Sequence, residues 1–292
     1  MKKTVLILLA ALFLGCGGPN IPKWYQNPPK DTALSFLDIG EGYSNQNAIN
    51  SALNSIASRI YVNLSSTYVI NKGIYNNKTY NDIYREIKAQ VPHIDFSGYK
   101  ILKSQKIGDK YYVLVKVDKN KLINNLKIKI SQALNVTFSD NPAQKVVDAY
   151  KTLHTLKKIK LYVLILNSLN QDVSEYLNKI TALEKKARYI IKNVSFVIKA
   201  DKFKQINQAL FSRYLNITPN AKNVILIKTD LQKEKLFNNY VIVVNAYIKF
   251  NKKYIIKTLG KSDISYEFAK ANAKINYQKK LSSLLKEIFS QN

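Results

Sequence analysis

Few side chains in this sequence could carry out catalysis or bind a metal. There is one cysteine, Cys16, and there are two histidines, His93 and His154, which fall on different predicted elements without metal-ligand spacing. A single cysteine excludes both an intramolecular disulfide and a metal site built from several thiolates. Cys–His or Ser–His–Asp catalysis would need one isolated histidine with distant partners. We therefore predict no metal, no cofactor and no enzymatic activity.

Two other patterns could also belong to a chemical site. Asp38 and Glu41 could form the carboxylate pair of a hydrolase, but two acids beside a turn are more often solvated or ion-paired. Gly40 and Gly42 could belong to a phosphate-binding loop, but the third glycine of the dinucleotide fingerprint is missing, and the sequence contains no complete P-loop motif Gly-x-x-x-x-Gly-Lys-Ser/Thr. Both patterns therefore favour a structural role.

Cys16 ends an N-terminal segment that has the layout of an export signal. Two lysines precede an apolar run over residues 5–14, and Gly15 comes directly before the cysteine. The run is far shorter than the ~20 residues of a membrane-spanning helix, as is usual for a secretory signal. The arrangement resembles a bacterial lipobox, which implies cleavage before Cys16 and attachment of a diacylglyceryl group to its thiol. The alternative is an ordinary cleaved signal with an incidental cysteine, because Phe13 and Leu14 are bulkier than usual lipobox residues.

The chain is strongly basic. It has 46 Lys and Arg against 19 Asp and Glu, for a formal net charge of +27. Codon bias explains part of this, but Glu is scarce although its codons are also AT-rich. An acidic partner such as anionic lipid head groups or envelope glycan is therefore expected. Nucleic acid would also fit the charge, but export to the envelope removes that partner, so none is expected.

Hydrophobic periodicity predicts an α+β protein made of two small mixed α/β domains joined by a helical connector. Residues 1–15 form the predicted signal peptide and residues 16–21 a lipidated tether. The first domain spans residues 22–118. A connector over residues 119–193 and a second α+β domain over residues 194–292 complete the chain.

The first domain is predicted to begin with an extended segment around Trp24, followed by a strand over residues 33–39 and a helix over residues 44–60. Alternation and β-branched residues predict extended structure over residues 61–75, and a short helix over residues 80–89 is possible. A hairpin turning at Gly108 and Asp109 completes the domain. In the second domain, Gly260, Ser262 and an alanine-bearing helix are loosely similar to residues 39–60, and whether the two domains are a repeat stays open.

A combination of features near the start of the mature chain carries a family resemblance. A Pro-x-Trp segment precedes a strand that ends in Gly-x-Gly, a serine cap and a helix with alanines four residues apart. The residues concerned are Pro22, Trp24, Gly40, Gly42, Ser44, Ala48, Ala52, Ile56 and Ala57. Over residues 22–118 the sequence is similar to the "lipoprotein twenty" family of bacterial outer-membrane lipoproteins.

The resemblance implies a non-catalytic lipoprotein held to the outer membrane by its lipid anchor, with envelope or flagellar proteins as partners. The alternative function is a binding module for anionic envelope glycan or lipid. Trp24 could lie at the membrane interface, although packing on the first domain is favoured. Gly40 and Gly42 permit a tight strand-to-helix turn, Ser44 can cap the helix, and the alanines let the helix lie close to a sheet.

Overall fold

The computed structural model describes residues 21–70, 96 and 98–289, with the backbone alone for residues 61–70. These residues form helices and two separate β-sheets, which confirms the predicted α+β fold. The predicted signal peptide, Cys16 and the possible helix over residues 80–89 lie outside the described residues. The described residues divide into two compact units, the first comprising those up to residue 130 together with residues 161–173 and the second the remainder.

The first unit contains a three-stranded antiparallel sheet in the order β1-β3-β2. Its elements are α1 (Lys23–Gln26), β1 (Ser35–Gly42), α2 (Asn45–Ile70), β2 (Lys100–Ile107), β3 (Lys110–Asp118) and the first part of α3 (Lys119–Leu134). Helix α2 packs against β1 and β3. Its buried stripe recurs at the three- and four-residue spacing of an amphipathic helix and consists of Ala48, Ile49, Ala52, Ile56, Ala57 and Ile60.

Two predictions for this unit are wrong and one is confirmed. The segment around Trp24 is a short helix, α1, where extended structure was expected. Residues 61–70 continue helix α2, although their β-branched and aromatic side chains favoured an extended segment. The hairpin is confirmed, since Ile107 pairs with Lys110 across a turn in which Gly108 has a φ of 58°.

The predicted connector is helical, as expected, and consists of α3, α4 (Pro142–Ser168) and α5 (Ser174–Asn193). These helices do not form a unit of their own, because residues 161–173 belong to the first unit and residues 131–160 to the second. Asn141 caps α4 by accepting bonds from the backbone N–H groups of Ala143 and Gln144, both at 3.0 Å. Pro142 opens the helix, where no backbone donor is required.

The second unit is built on a five-stranded sheet in the order β5-β4-β6-β7-β8. Strand β4 runs parallel to β5 and β6, and the other pairs are antiparallel. The elements after α5 are β4 (Ser195–Ala200), α6 (Lys204–Phe211), β5 (Asn216–Ile217), β6 (Asn223–Leu236), β7 (Asn239–Lys249), β8 (Lys253–Ser262) and α7 (Tyr266–Phe289).

Helix α7 packs against β7 and β8 and supplies a large part of the core of this unit. Its buried residues follow helical spacing, and the buried strand residues that belong to the same core alternate along β6 and β7. Those on α7 are Ala269, Ala273, Tyr277, Leu281, Leu285, Ile288 and Phe289, and those on the two strands are Ile225, Ile227, Ile242, Val244, Ala246 and Ile248. The alternation leaves the opposite sheet face outside this core.

Candidate functional site

The glycines and alanines of the predicted motif meet at a close contact between β1 and α2. A Cβ atom on Gly40 would lie 2.1 Å from the carbonyl oxygen of Ala48 and 2.5 Å from the amide nitrogen of Ala52. A Cβ atom on Gly42 would lie 2.6 Å from the amide nitrogen of Ala48. The Ser44 hydroxyl caps the helix by accepting a 3.1 Å bond from the backbone N–H of Asn47. The backbone of α2 therefore fills the space beside the two glycines, where a phosphate would otherwise have to bind.

The same type of contact recurs in the second unit, between β8 and α7. A Cβ atom on Gly260 would lie 2.2 Å from the carbonyl oxygen of Ala269 and 2.1 Å from the amide nitrogen of Ala273. The Ser265 hydroxyl accepts a 3.4 Å bond from the backbone N–H of Phe268. Gly40 and Gly260 each lie on an edge strand that pairs with the second strand of a hairpin. In the first unit the β2–β3 hairpin comes after the edge strand β1 in the chain, whereas in the second unit the β6–β7 hairpin comes before the edge strand β8. The two units therefore form the same type of contact with a different order of elements.

Trp24 lies in α1 beside a small aromatic and ionic cluster on β1 and β3. Its ring is 6.4 Å from that of Tyr25, which meets the Tyr112 ring edge-on at 4.7 Å. The Tyr25 hydroxyl donates a 3.1 Å bond to Glu41, whose other carboxylate oxygen accepts a 3.1 Å bond from the Lys110 ammonium. The hydrogen bond from Lys110 lowers the pKa of Glu41. Burial and the bond to Glu41 raise the pKa of Tyr25 to about 12. These contacts hold α1 against the sheet.

The candidate hydrolase acids are not brought together. Asp38 is buried and forms an ion pair with Arg59 of α2, whereas Glu41, an odd number of residues along the same strand, lies on the other face of the sheet. His154 is half-buried, and its Nε2 has no hydrogen-bond partner in the described part of the chain. Among the described residues, no cluster of three or more His, Cys, Asp or Glu is placed to hold a metal ion.

The feature of the second unit that sequence reasoning missed is the sheet face turned away from α7, which we call the open sheet face. Large apolar side chains remain exposed on it, namely Val224, Leu226, Tyr247, Ile255 and Leu259. Lysines are interspersed with them, namely Lys199, Lys228, Lys249, Lys253, Lys257 and Lys261, and strand register places two acids, Asp230 and Glu234, on the same face. The predicted strands indicated a sheet here, but alternation within a strand does not say which face a helix covers.

Strand register places the apolar and basic residues of the open sheet face side by side. Tyr247 lies between Lys228 on β6 and Ile255 on β8. Ile255 is 59% exposed and Tyr247 50%. Leu226 lies between Lys199 and Lys249. Directly opposed residues on a sheet have Cβ atoms about 5 Å apart, so the side chains of Tyr247 and Leu226 are each within reach of an ammonium group. The surface can offer both apolar contact and positive charge to a partner.

Comparison with known proteins gives a fold relationship. No family model and no curated protein matches the sequence. The structure is similar to the crystal structure of the secreted protein HP1454 from the human pathogen Helicobacter pylori. The TM-score is 0.52 at 15% sequence identity, over 87% of this chain and 96% of that chain. At this identity the two proteins share a fold, and membership of the "lipoprotein twenty" family stays a prediction.

In the part of the chain that the structure describes, no helix is both long enough and apolar enough to cross a bilayer.

Proposed function

We propose that this protein is a non-catalytic outer-membrane lipoprotein that acts as a structural or interaction component of the cell envelope. The observation that carries the proposal is the open sheet face, where exposed apolar and basic side chains adjoin one another. Exposed apolar residues that are grouped together, with polar residues around them, are typical of protein-binding surfaces.

The physical case rests on what the surface would gain from a partner. Tyr247 and Ile255 are neighbours on the sheet and at least half exposed. Covering a side chain of this kind contributes on the order of 1.5–3 kcal/mol when burial is complete. Tyr is also enriched at interfaces, because a large rigid ring loses little conformational entropy on binding. The surrounding lysines would favour a partner with acidic side chains around its apolar centre.

The location is supported by the N-terminal sequence. The apolar run that ends at Cys16 has the layout of an export signal, and the lipobox resemblance implies a lipid anchor. Export is further supported by the structural similarity to a protein described as secreted. The family resemblance favours envelope or flagellar proteins as partners.

The test is site-specific photocrosslinking in cells with the native full-length chain. A photoreactive amino acid at Ile255 should form crosslinks to one or a few envelope proteins, identified by mass spectrometry. The matched control is Ile275 on α7, which is 51% exposed and lies outside the open sheet face. A Cys16→Ala variant tests whether the partner requires the anchor. Equal crosslinking from both positions, or none from Ile255, would contradict the protein-binding proposal.

Binding of anionic envelope glycan or lipid is a second candidate, supported by the lysines of the open sheet face. Attraction between exposed charges is screened over about 8 Å at physiological ionic strength, so this binding should weaken steeply with salt. A heparin column serves as the probe. Replacing Lys249, Lys253 and Lys257 by Gln should lower the salt concentration that elutes the protein. Replacing Lys279, Lys280 and Lys286 of α7 gives a control with the same change in charge.

A further inference from the structure

The turn between β6 and β7 places a bulky aromatic residue in a strained backbone conformation. Leu236 pairs with Asn239, so Phe237 and Asn238 form a two-residue turn. Phe237 has a φ of 52°, in the left-handed region that favours glycine, and is 96% exposed. A bulky residue is rare in this region because its Cβ crowds the backbone. At this level of exposure, packing of the ring within the protein cannot offset that strain.

Aromatic and basic residues lie just behind this turn. The Tyr240 and Tyr266 rings meet edge-on at 4.9 Å. The Lys235 ammonium lies 5.4 Å from the centre of the Tyr240 ring, and the Lys233 ammonium lies 5.3 Å from the centre of the Tyr266 ring. Tyr and Lys are both favoured at the boundary between a bilayer and water, where the apolar part of the side chain faces inward and the polar end stays hydrated.

A second turn at the same end of the sheet also presents apolar side chains. Tyr240 at the start of β7 pairs with Ser262 at the end of β8, so the β8–α7 turn lies beside the β6–β7 turn. Ile264 in that turn is 65% exposed, and Phe268 in the first turn of α7 is 56% exposed. Leu236 is 46% exposed. One end of the unit therefore carries four exposed large apolar residues on or directly beside two adjacent turns.

Acidic residues at this end limit the contribution of simple charge attraction. Asp263 and Glu267 belong to the β8–α7 turn and the start of α7. Glu234 lies opposite Val241, and Lys261 is the neighbour of Val241 on its other side. Because side chains alternate along a strand, Glu234 lies on the opposite face of the hairpin from Lys233 and Lys235. Burial of apolar side chains should therefore provide most of the binding energy, with the two lysines adding a preference for anionic head groups.

We propose that the β6–β7 turn is a membrane contact, in which Phe237 and Leu236 enter the head-group region of a bilayer that contains anionic lipid. Tyr240, Tyr266, Lys233 and Lys235 would then lie at the level of the head groups. This contact uses a different surface from the open sheet face. It also does not require acylation of Cys16, so it goes beyond the proposed function.

The first test is binding of the mature chain, residues 16–292 with Cys16→Ser, which lacks the apolar signal segment and cannot be acylated at this position, to phosphatidylethanolamine vesicles with and without phosphatidylglycerol. Phe237→Gly should weaken binding about tenfold, the value expected for loss of one well-buried aromatic side chain. Glycine suits the left-handed turn, so the thermal midpoint should stay equal or rise. Tyr189→Ser on α5 removes a ring that is 68% exposed and is the control. Equal binding by the parent and Phe237→Gly would overturn the proposal.

The second test measures how deeply residue 237 enters the bilayer. An environment-sensitive fluorophore on Phe237→Cys, in the Cys16→Ser background, should be quenched by lipids brominated in their acyl chains. The same label on Asn220→Cys, in the exposed segment between β5 and β6, should not be quenched. Quenching equal at both positions, or absent at position 237, would contradict insertion. Neither vesicle test depends on the crosslinking result at Ile255, so the two proposals can fail separately.

Discussion

The hydroxyl of Tyr277 donates a 2.7 Å hydrogen bond to the side-chain oxygen of Asn207, and both residues are completely buried. The Asn207 side-chain nitrogen donates a 3.1 Å bond to the carbonyl oxygen of Lys202. Phe203 stacks on the Tyr277 ring with the centroids 5.0 Å apart. The bond joins α6 to α7 inside the core, where an unpaired polar atom is costly.

Replacing Tyr277 by Phe should destabilise the second unit. The change leaves the Asn207 oxygen buried without its donor, and such a loss lowers the free energy of unfolding by about 1–3 kcal/mol. Urea denaturation followed by circular dichroism measures it. The control is Tyr247→Phe, which removes a hydroxyl from a half-exposed ring. Equal effects of the two substitutions would contradict this account of the buried bond.

Gly260→Ala should be strongly destabilising. The new Cβ would lie 2.1 Å from the amide nitrogen of Ala273, and a main-chain atom of a packed helix cannot move away freely. We expect a loss of about 3 kcal/mol or more in the free energy of unfolding. In Gly108→Ala nothing lies within 4 Å of the new Cβ, although the φ of 58° disfavours alanine. That control should lose only about 1–2 kcal/mol. A milder effect at Gly260 than at Gly108 would show that the helix can shift.

Arg59→Lys should loosen the segment that precedes β1. The Arg59 guanidinium forms ion pairs with Asp31 and Asp38 and donates a 2.8 Å bond to the carbonyl oxygen of Leu37. Lysine keeps the charge but has no planar fork that can serve several acceptors at once. Because the Arg59 side chain is 40% exposed, we expect a loss of only about 1 kcal/mol in the free energy of unfolding.

Hydrogen exchange provides the specific measurement for this substitution. The backbone amide of Leu37, which donates a 2.8 Å bond to Asp31, should exchange faster in Arg59→Lys. Lys110→Gln, which breaks the exposed ion pair with Glu41, is the control and should leave exchange at Leu37 unchanged. Unaltered exchange in Arg59→Lys would mean that Asp31 stays in place without the guanidinium.

The pKa of Tyr25 should be higher than that of an ordinary tyrosine. Burial and the hydrogen bond to Glu41 raise its pKa from 10.0 to about 12. The folded chain therefore keeps this proton longer than the unfolded chain does. The resulting stabilisation is complete below pH ~10 and is lost as the pH rises through the folded-state pKa. Carbon-13 NMR of the tyrosine ring carbons, assigned with Tyr25→Phe, measures the pKa.

Glu41→Gln provides the matched change for that titration. It removes a negative charge and a charged acceptor from the Tyr25 hydroxyl, so the pKa of Tyr25 should fall while the contribution of burial remains. An unchanged pKa in Glu41→Gln would show that burial alone sets it.

The helix–sheet contact of the first unit was predictable because its requirements are local. Gly40 and Gly42 lie at the end of a strand, and Ser44 accepts a hydrogen bond from the first turn of α2. The small side chain of Ala48 lets that helix approach the strand closely. The continuation of α2 beyond residue 60 was not predictable in the same way. Helix propensities of ordinary residues span only about 0.7 kcal/mol, which is too little for tyrosines and β-branched residues to end a helix. The helix therefore continues to Ile70.

The exposure of the open sheet face could not be predicted from the sequence of any single strand. Residues 224–227 read Val-Ile-Leu-Ile, and a continuous apolar run is typical of a strand buried on both faces. In the structure, Ile225 and Ile227 are buried, whereas Val224 and Leu226 are exposed. That outcome follows from where α7 packs, which is a tertiary property. Phe237 carried no sequence signal beyond the two asparagines that follow it.

The contact between Gly260 and α7 has a consequence for how this architecture can change during evolution. The separation of strand and helix there is set by main-chain atoms, which are the same in every sequence. A lineage that keeps the glycine and the small residues facing it can therefore exchange most other side chains without shifting the two layers. More distant relatives should be recognisable by the spacing from glycine to the alanine pair, even where overall similarity has faded.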